Sequence, residues 1–284
     1  MFGGSISESS RKLYTSNIKR LNGGKEPKSA VFLNKFDDIN AIIDKYADNT
    51  KKSYYITIVS YLKDKKASNK TKNYWLEKMN EANKSFRETS GEKTETQKKN
   101  WMEWGEVVKL HADYDLPKKI KDEKEYNQVL YYLILSLYVL TPPRRVVDYE
   151  KMKVVADASG MDEDFNYLDV KKKQFIFNQY KTKKAYGQQT EDIPDDLYAI
   201  LKKLVLPKQK NFEPFFLLQD YSGDKVIGVT RALNKVFGKN ISVSMLRNIF
   251  VSDKLGGKKD ETKELAESMG TSPAVLQNVY SKDS

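Results

Sequence analysis

Residues 165–193 read FNYLDVKKKQFIFNQYKTKKAYGQQTEDI, and the rest of the chain takes its fold class from them. Phe165–Val170, Gln174–Thr182 and Gln188–Ile193 are expected as strands, because Phe175, Ile176, Phe177 and Tyr180 favour a pleated, half-buried surface. Lys181–Gly187 (KTKKAYG) is the turn joining the second to the third. Everything around this block has helical periodicity. Upstream, Trp101, Trp104, Val107 and Val108 begin a helix, and Val129–Leu140 is a long apolar run that reads as a buried one. It stops at Pro142-Pro143, since proline removes a donor and restricts the residue before it. Downstream, Leu197–Leu206, Val229–Phe237, Val243–Leu255 and Lys263–Met269 are helical, and a last short helix starts at Ser272-Pro273 with serine as cap. The expected fold is mainly α with a small antiparallel β-sheet, an α+β class.

The first third has a different texture. Leu13, Ile18 and Leu21 line one helix, which stops at Gly23-Gly24. Phe36, Ile39, Ile42, Ile43 and Tyr46 line a second; Tyr54, Ile58, Val59 and Leu62, capped by Asn49 or Thr50, line a third. Trp75, Met79, Ala82 and Phe86 line a fourth. Residues 89–99 lack large apolar side chains and read as a linker. Two domains follow, residues 1–98 and 99–284.

Of 284 residues, 50 are Lys or Arg and 39 Asp or Glu, a net charge of +11. The charge is uneven: residues 1–98 hold 20 basic against 12 acidic residues, the remainder 30 against 27. A basic helical module, with Lys51, Lys52, Lys63, Lys65, Lys66, Lys70 and Lys72 on its exposed faces, suits a polyanion such as DNA. There is no cysteine, which excludes thiolate chemistry, disulfides and zinc clusters, and the single His111 excludes a two-histidine metal site. His111, within VVKLH, reads as structural. No apolar run reaches the ~18 residues of a membrane span, and the N-terminus lacks a secretory apolar segment. The chain reads as an intracellular protein, not secreted, with no metal and no small-molecule cofactor.

Three further segments carry chemistry: PPRRVVD (142–148), SMLR (244–247) and MGTSPAVLQNVY (269–280). Together with the lysine-rich turn they offer, in order, an arginine, a lysine, an arginine and a late tyrosine. Transferring a phosphodiester without metal or nucleotide needs a nucleophile that can hold phosphate as an ester, and tyrosine can. It needs charge stabilisation of the non-bridging oxygens, which the arginine fork supplies. It also needs a proton for the departing oxygen, which lysine can give when its pKa is lowered by neighbouring cations.

With these residues in view, the sequence resembles the tyrosine recombinase/integrase family along nearly its whole length. Its texture is closest to integrases of large DNA viruses, virophages and related mobile elements, on "TPPRRVVDY" and "YKTKKAYGQQTEDIP". The resemblance implies a two-domain DNA clamp, a helical core-binding domain and a catalytic domain ending in the tyrosine helix. It implies Tyr280 as nucleophile, forming a 3′-phosphotyrosyl intermediate, with Arg247 as second arginine. The first arginine, which precedes an acidic residue by three positions, is matched by Arg145 with Asp148, and Arg144 is the alternative. The hairpin lysine is best matched by Lys181, followed by Thr182, with Lys183 and Lys184 as competitors. Ser244 and Thr271 stand where relatives usually carry histidine, or tryptophan at the second place, and would hydrogen-bond the phosphate. Lys51, Lys52, Lys70, Lys72, Arg144, Lys183 and Lys184 are the expected DNA contacts. The implied partners are double-stranded DNA and further copies of the chain, as dimers and tetramers on DNA. A type IB topoisomerase-like activity, or a weakened DNA-binding relative, are the alternatives. The compartment would be that of the DNA: bacterial cytoplasm, host nucleus or viral factory.

Overall fold

A computed structural model describes Phe2 and residues 6–89, 91–204, 206–207, 215–255 and 262–280. The chain divides into two compact units, Met1–Ser90 and Gly91–Ser284, so the division precedes the expected boundary after residue 98. The expected 89–99 linker is partly helical. A helix, α5, spans Glu95–Asn100, and Thr94 opens it with a capping box. The Thr94 hydroxyl accepts from the Gln97 amide while the Gln97 side chain accepts from the Thr94 amide. Polar composition is compatible with a helix once two orphan donors are satisfied in this way.

The first unit is helical: α1 (Glu8–Leu21), α2 (Phe36–Ile43), α3 (Asp48–Leu62) and α4 (Asn69–Thr89), with a 3-10 turn at Val31–Asn34. Ser7 caps α1, and Gly24 closes it by donating to the Lys19 carbonyl at 2.8 Å. Leu13, expected inside, is half exposed; Ile18 and Leu21 face inward, joined by Asn17, which donates to Thr57 of α3 at 3.2 Å. α3 begins two or three residues before the expected caps, with Ala47 at its N-cap. Trp75 is fully buried, its indole donating to the Leu33 carbonyl at 2.9 Å. Phe36, Tyr55 and Tyr74 pack around that ring, so aromatic area anchors this small core.

The second unit is built on α7 (Glu123–Val139), which packs against α6 (Trp104–Ala112), α10 (Asp195–Leu204) and α11 (Val229–Phe237). α7 stops before Pro142-Pro143, as expected, and a short α8 (Val146–Glu150) follows. The Leu197–Leu206 expectation crosses Val205, outside the described residues. The sheet has four strands in sequence order: β1 (Lys153–Val155), β2 (Tyr167–Asp169), β3 (Gln174–Phe177) and β4 (Gln189–Asp192). β1 pairs parallel with β2, so the sheet is mixed where an antiparallel one was expected. Three residues of β1 carry too little alternation to stand out by pattern. β3 is also shorter than expected, and the turn after it winds into a helical turn, α9 (Lys183–Tyr186), ended by Gly187 at φ 70°.

Phe175 and Phe177 are buried on one sheet face. Their register partners on β4 are Glu191 and Gln189. Directly opposed residues share a face, so a carboxylate and an amide lie on the same side as two phenyl rings. The remaining helices, α12 (Val243–Leu255), α13 (Thr262–Ser268) and α14 (Pro273–Val275), lead to a π-type turn, Leu276–Tyr280, that packs on α12.

Candidate active site at the end of helix α13

Helix α13 ends in a Schellman closure. The Thr271 amide donates to the Ala266 carbonyl at 2.8 Å and the Gly270 amide to the Glu267 carbonyl at 2.9 Å, with Gly270 left-handed at φ 58°. Three carbonyls beyond it, Ser268, Met269 and Gly270, remain as acceptors at the negative end of the helix dipole. Each is taken by an arginine from elsewhere in the chain. Arg144 donates to Ser268 at 3.0 Å, Arg247 to Met269 at 3.4 Å and Arg145 to Gly270 at 2.5 Å. Guanidinium groups suit this place because they add positive charge and several donors at once.

Arg145 is the N-cap residue of α8 and half-buried. Its second amino group donates to the Thr271 hydroxyl at 3.2 Å. Arg247 sits in α12, 1 % exposed, and one of its amino groups also donates to the Pro143 carbonyl. Its Nε is buried and has no hydrogen-bond partner among the described residues. The guanidinium carbon lies 4.5 Å from the centre of the Tyr280 ring, which is itself 8 % exposed. Burial pulls the Arg247 pKa downward; the Tyr280 hydroxyl opposes this, and the Arg145 charge adds to it. Arginine keeps its proton regardless, so Arg247 stands as a cation against a phenol, with a second cation, Arg145, close enough to act on it.

Arg144 is placed differently from the DNA contact that was expected. It is fully buried, its Nε donating to Asp148 at 3.1 Å and its amino groups to Glu191 at 2.6 Å and Gln189 at 2.8 Å. The guanidinium stacks 3.8 Å above the Phe177 ring. Its bonds point into the protein. Burial raises the pKa of both carboxyls, Asp148 and Glu191, against the lowering effect of Arg144.

Lys181 is exposed on the turn after β3. Its neighbour Thr182 donates to the Gly270 carbonyl at 2.8 Å, which ties this turn to the same strap that Arg145 holds. Lys183 is drawn into an ion pair with Glu163 at 2.9 Å, and Lys184 is exposed. Ser244 is exposed one turn before Arg247 and is not joined to this cluster by a hydrogen bond. In the first unit, Lys51 pairs with Asp48 at 3.5 Å, and Lys52 lies 3.6 Å over the Phe86 ring. Lys70 is exposed and Lys72 half-buried. His111 is structural: its Nε2 is 2.9 Å from Ser136 Oγ, its ring stacks on Tyr132, and burial lowers its pKa.

The arrangement therefore gathers Arg145, Arg247, Thr271 and Tyr280 from three distant segments, with Arg144 behind them. A neighbouring groove of about 620 Å³ is lined by Glu191, Asp192, Glu264 and Glu267, which makes it a poor seat for a polyanion. Glu191, Gln189 and Asn166 were missed in the sequence. Asn166 donates to the Asp148 carbonyl at 2.8 Å and so ties α8 to the sheet. The spacing of Gln189 and Glu191 by two, within a strand, was the available signal that they share a face. Among the described residues no cluster of potential ligands could hold a metal ion, and no helix is long and apolar enough to cross a membrane.

No protein-family model matches the chain, and no curated protein matches it in sequence. Among solved structures, the crystal structure of XerA recombinase aligns with 98 % of this chain and 88 % of its own, at 12 % identity and a TM-score of 0.42.

Proposed function

We propose that the protein is a DNA strand transferase of the tyrosine recombinase type, cutting and rejoining strands through a covalent tyrosine ester. The observation that carries this reading is the meeting of Arg145 and Arg247 on the 269–271 strap, with Tyr280 against Arg247, whose buried Nε has no partner among the described residues. Two guanidinium groups can bind the non-bridging oxygens of one phosphodiester and neutralise the charge that accumulates in the pentavalent transition state. The Tyr280 oxygen attacks phosphorus as its proton passes to solvent water. The P–O bond to the 5′ oxygen breaks, and that oxygen takes a proton from Lys181. The products are a 3′-phosphotyrosyl protein and a free 5′ hydroxyl. The ester conserves the bond energy, and attack by a 5′ hydroxyl reverses the step.

Thr271, buried and already a partner of Arg145, would donate to a phosphate oxygen in that reading, and Ser244 would do so from the exposed start of α12. Lys63, Lys66 and Lys70, exposed at the end of α3 and the start of α4, supply phosphate contacts from the first unit. Exchange between two duplexes would require dimers or tetramers on DNA.

The test uses a pool of nicked duplexes with randomised sequence around the nick, so that the cut fragment diffuses away and the adduct is trapped. After denaturation in SDS, a protein–DNA band is expected for wild type and none for Tyr280→Phe. Binding of the pool with no band for wild type would leave a DNA-binding protein without this chemistry. A band that survives Tyr280→Phe would move the nucleophile elsewhere. Relaxation of a supercoiled plasmid by the monomer would instead indicate a topoisomerase.

A further inference from the structure

Arg144 has no part in the chemistry just described, yet it is the more firmly held member of its doublet. Four of its N–H donors are used: on Asp148 in α8, on Gln189 and Glu191 in β4, and on the Ser268 carbonyl at the end of α13. The Phe177 ring closes one face of the guanidinium. A methyl group added to Gly270 would come within 2.8 Å of one of its amino nitrogens, so the strap at residues 268–271 lies directly against it. The elements it joins are the ones that aim the other arginines. α8 begins with Arg145, whose carbonyl accepts from the Asp148 amide at 3.0 Å. The strap offers the Met269 carbonyl to Arg247, and the Gly270 carbonyl and Thr271 hydroxyl to Arg145.

From this geometry we infer that Arg144 is a positioning residue: it locks α8, β4 and the 268–271 strap together, and thereby sets the aim of Arg145 and Arg247 at phosphate. The inference rests on the proposed strand-transfer function. Arg144 itself does not touch the DNA. A lysine in its place keeps the charge that Asp148 and Glu191 need, but a single ammonium cannot span the two carboxylates, the amide and the Ser268 carbonyl with the same planar fork. Displacing reacting groups by about 1 Å costs about a hundredfold in rate.

The experiment measures single-turnover cleavage of the nicked duplex, at saturating protein, for wild type, Arg144→Lys, Arg145→Lys and the double variant. DNA affinity and thermal unfolding of each are measured alongside, and Arg144→Gln serves as a harsher companion. Arg144→Lys is expected to fold, to bind DNA within about twofold of wild type and to cleave roughly a hundredfold more slowly. Because it acts through Arg145, its loss should largely disappear in the Arg145→Lys background. Cleavage by Arg144→Lys within about twofold of wild type overturns the inference, as do losses that simply multiply in the double variant. So does a fall in DNA affinity large enough to account for the slower reaction, which would make Arg144 a direct contact. In those three cases the strand-transfer reading stands. Absence of any adduct with wild type removes both.

Discussion

Replacing Gly270 by alanine should unsettle the second unit far more than one methyl group suggests. Gly270 has φ 58°, and an added Cβ would lie 2.8 Å from Arg144 Nη2, 3.3 Å from its Cζ and 3.5 Å from the Tyr180 ring. The left-handed conformation alone costs an alanine about 1–2 kcal/mol. The close approach cannot be relieved by swinging a loose side chain, because Arg144 is buried, stacked on Phe177 and hydrogen-bonded on all three nitrogens. Shifting it weakens at least one charge-assisted bond, about 1.5–3 kcal/mol. The two effects together amount to roughly 3–5 kcal/mol, a large part of the 5–15 kcal/mol that typically holds a domain. Native-state hydrogen exchange of peptides from α7 and α12 reports the second unit separately from the first. Gly105→Ala provides the contrast, since an exposed helical position with nothing within 4 Å should gain about 0.4–1 kcal/mol. Gly270→Asn separates the causes: asparagine tolerates the left-handed region but brings the same Cβ, so most of the loss should persist. An exchange free energy for Gly270→Ala within about 0.5 kcal/mol of wild type would refute the tight Arg144–Gly270 packing.

Other expectations follow from the same geometry. Arg145→Ala should retain most DNA binding while cleavage in the adduct assay falls about 10²–10³-fold, the loss typical of one preorganised donor; comparable loss of binding and cleavage would count against it. Arg247→Ala should lose cleavage similarly and also melt earlier, because it leaves the Pro143 and Met269 carbonyls without their cation. His111 has its pKa lowered by burial, so the unfolded chain binds a proton that the folded one resists. Its contribution is therefore unfavourable to folding as pH falls below about 6.5 and vanishes at higher pH. The single imidazole makes this directly visible by NMR, where a midpoint at or above about 6.5 would contradict the packing. Neutralising Lys63, Lys66 and Lys70 together should flatten the log–log salt dependence of DNA binding by up to about 0.9 for each phosphate they no longer neutralise; an unchanged slope would take this patch out of the interface.

Much of this architecture is legible along the chain because its signals are local. The buried helix ending before Pro142, the Ser272-Pro273 start and the aromatic strand at Gln174–Phe177 each follow from propensity and periodicity within a few residues. β1 escaped because three residues beside a parallel partner leave no hairpin and almost no pattern. Residues 95–100 escaped because a capping box, rather than an apolar face, supports their helix. The lysines at 51 and 52 were read as DNA contacts on an exposed face, and the sequence did not show that an acidic neighbour one turn away and a phenyl ring from α4 lie against them.

The doublet at 144 and 145 marks the limit most sharply. From sequence alone, the order of arginine, lysine, arginine and tyrosine, and a basic first third, could be established, because residue types and their order are written there. Which of two adjacent arginines turns inward could not. That choice depends on Glu191, Gln189 and Ser268, which lie 45 to 124 residues away and meet Arg144 only when the sheet and α13 come together. Two neighbouring side chains in an extended backbone point to opposite sides, and the tertiary structure decides which side holds the carboxylates and the helix end. Buried charge must find partners, so Arg144 goes where they are, and Arg145 is left to the Gly270 carbonyl and the Thr271 hydroxyl of the strap.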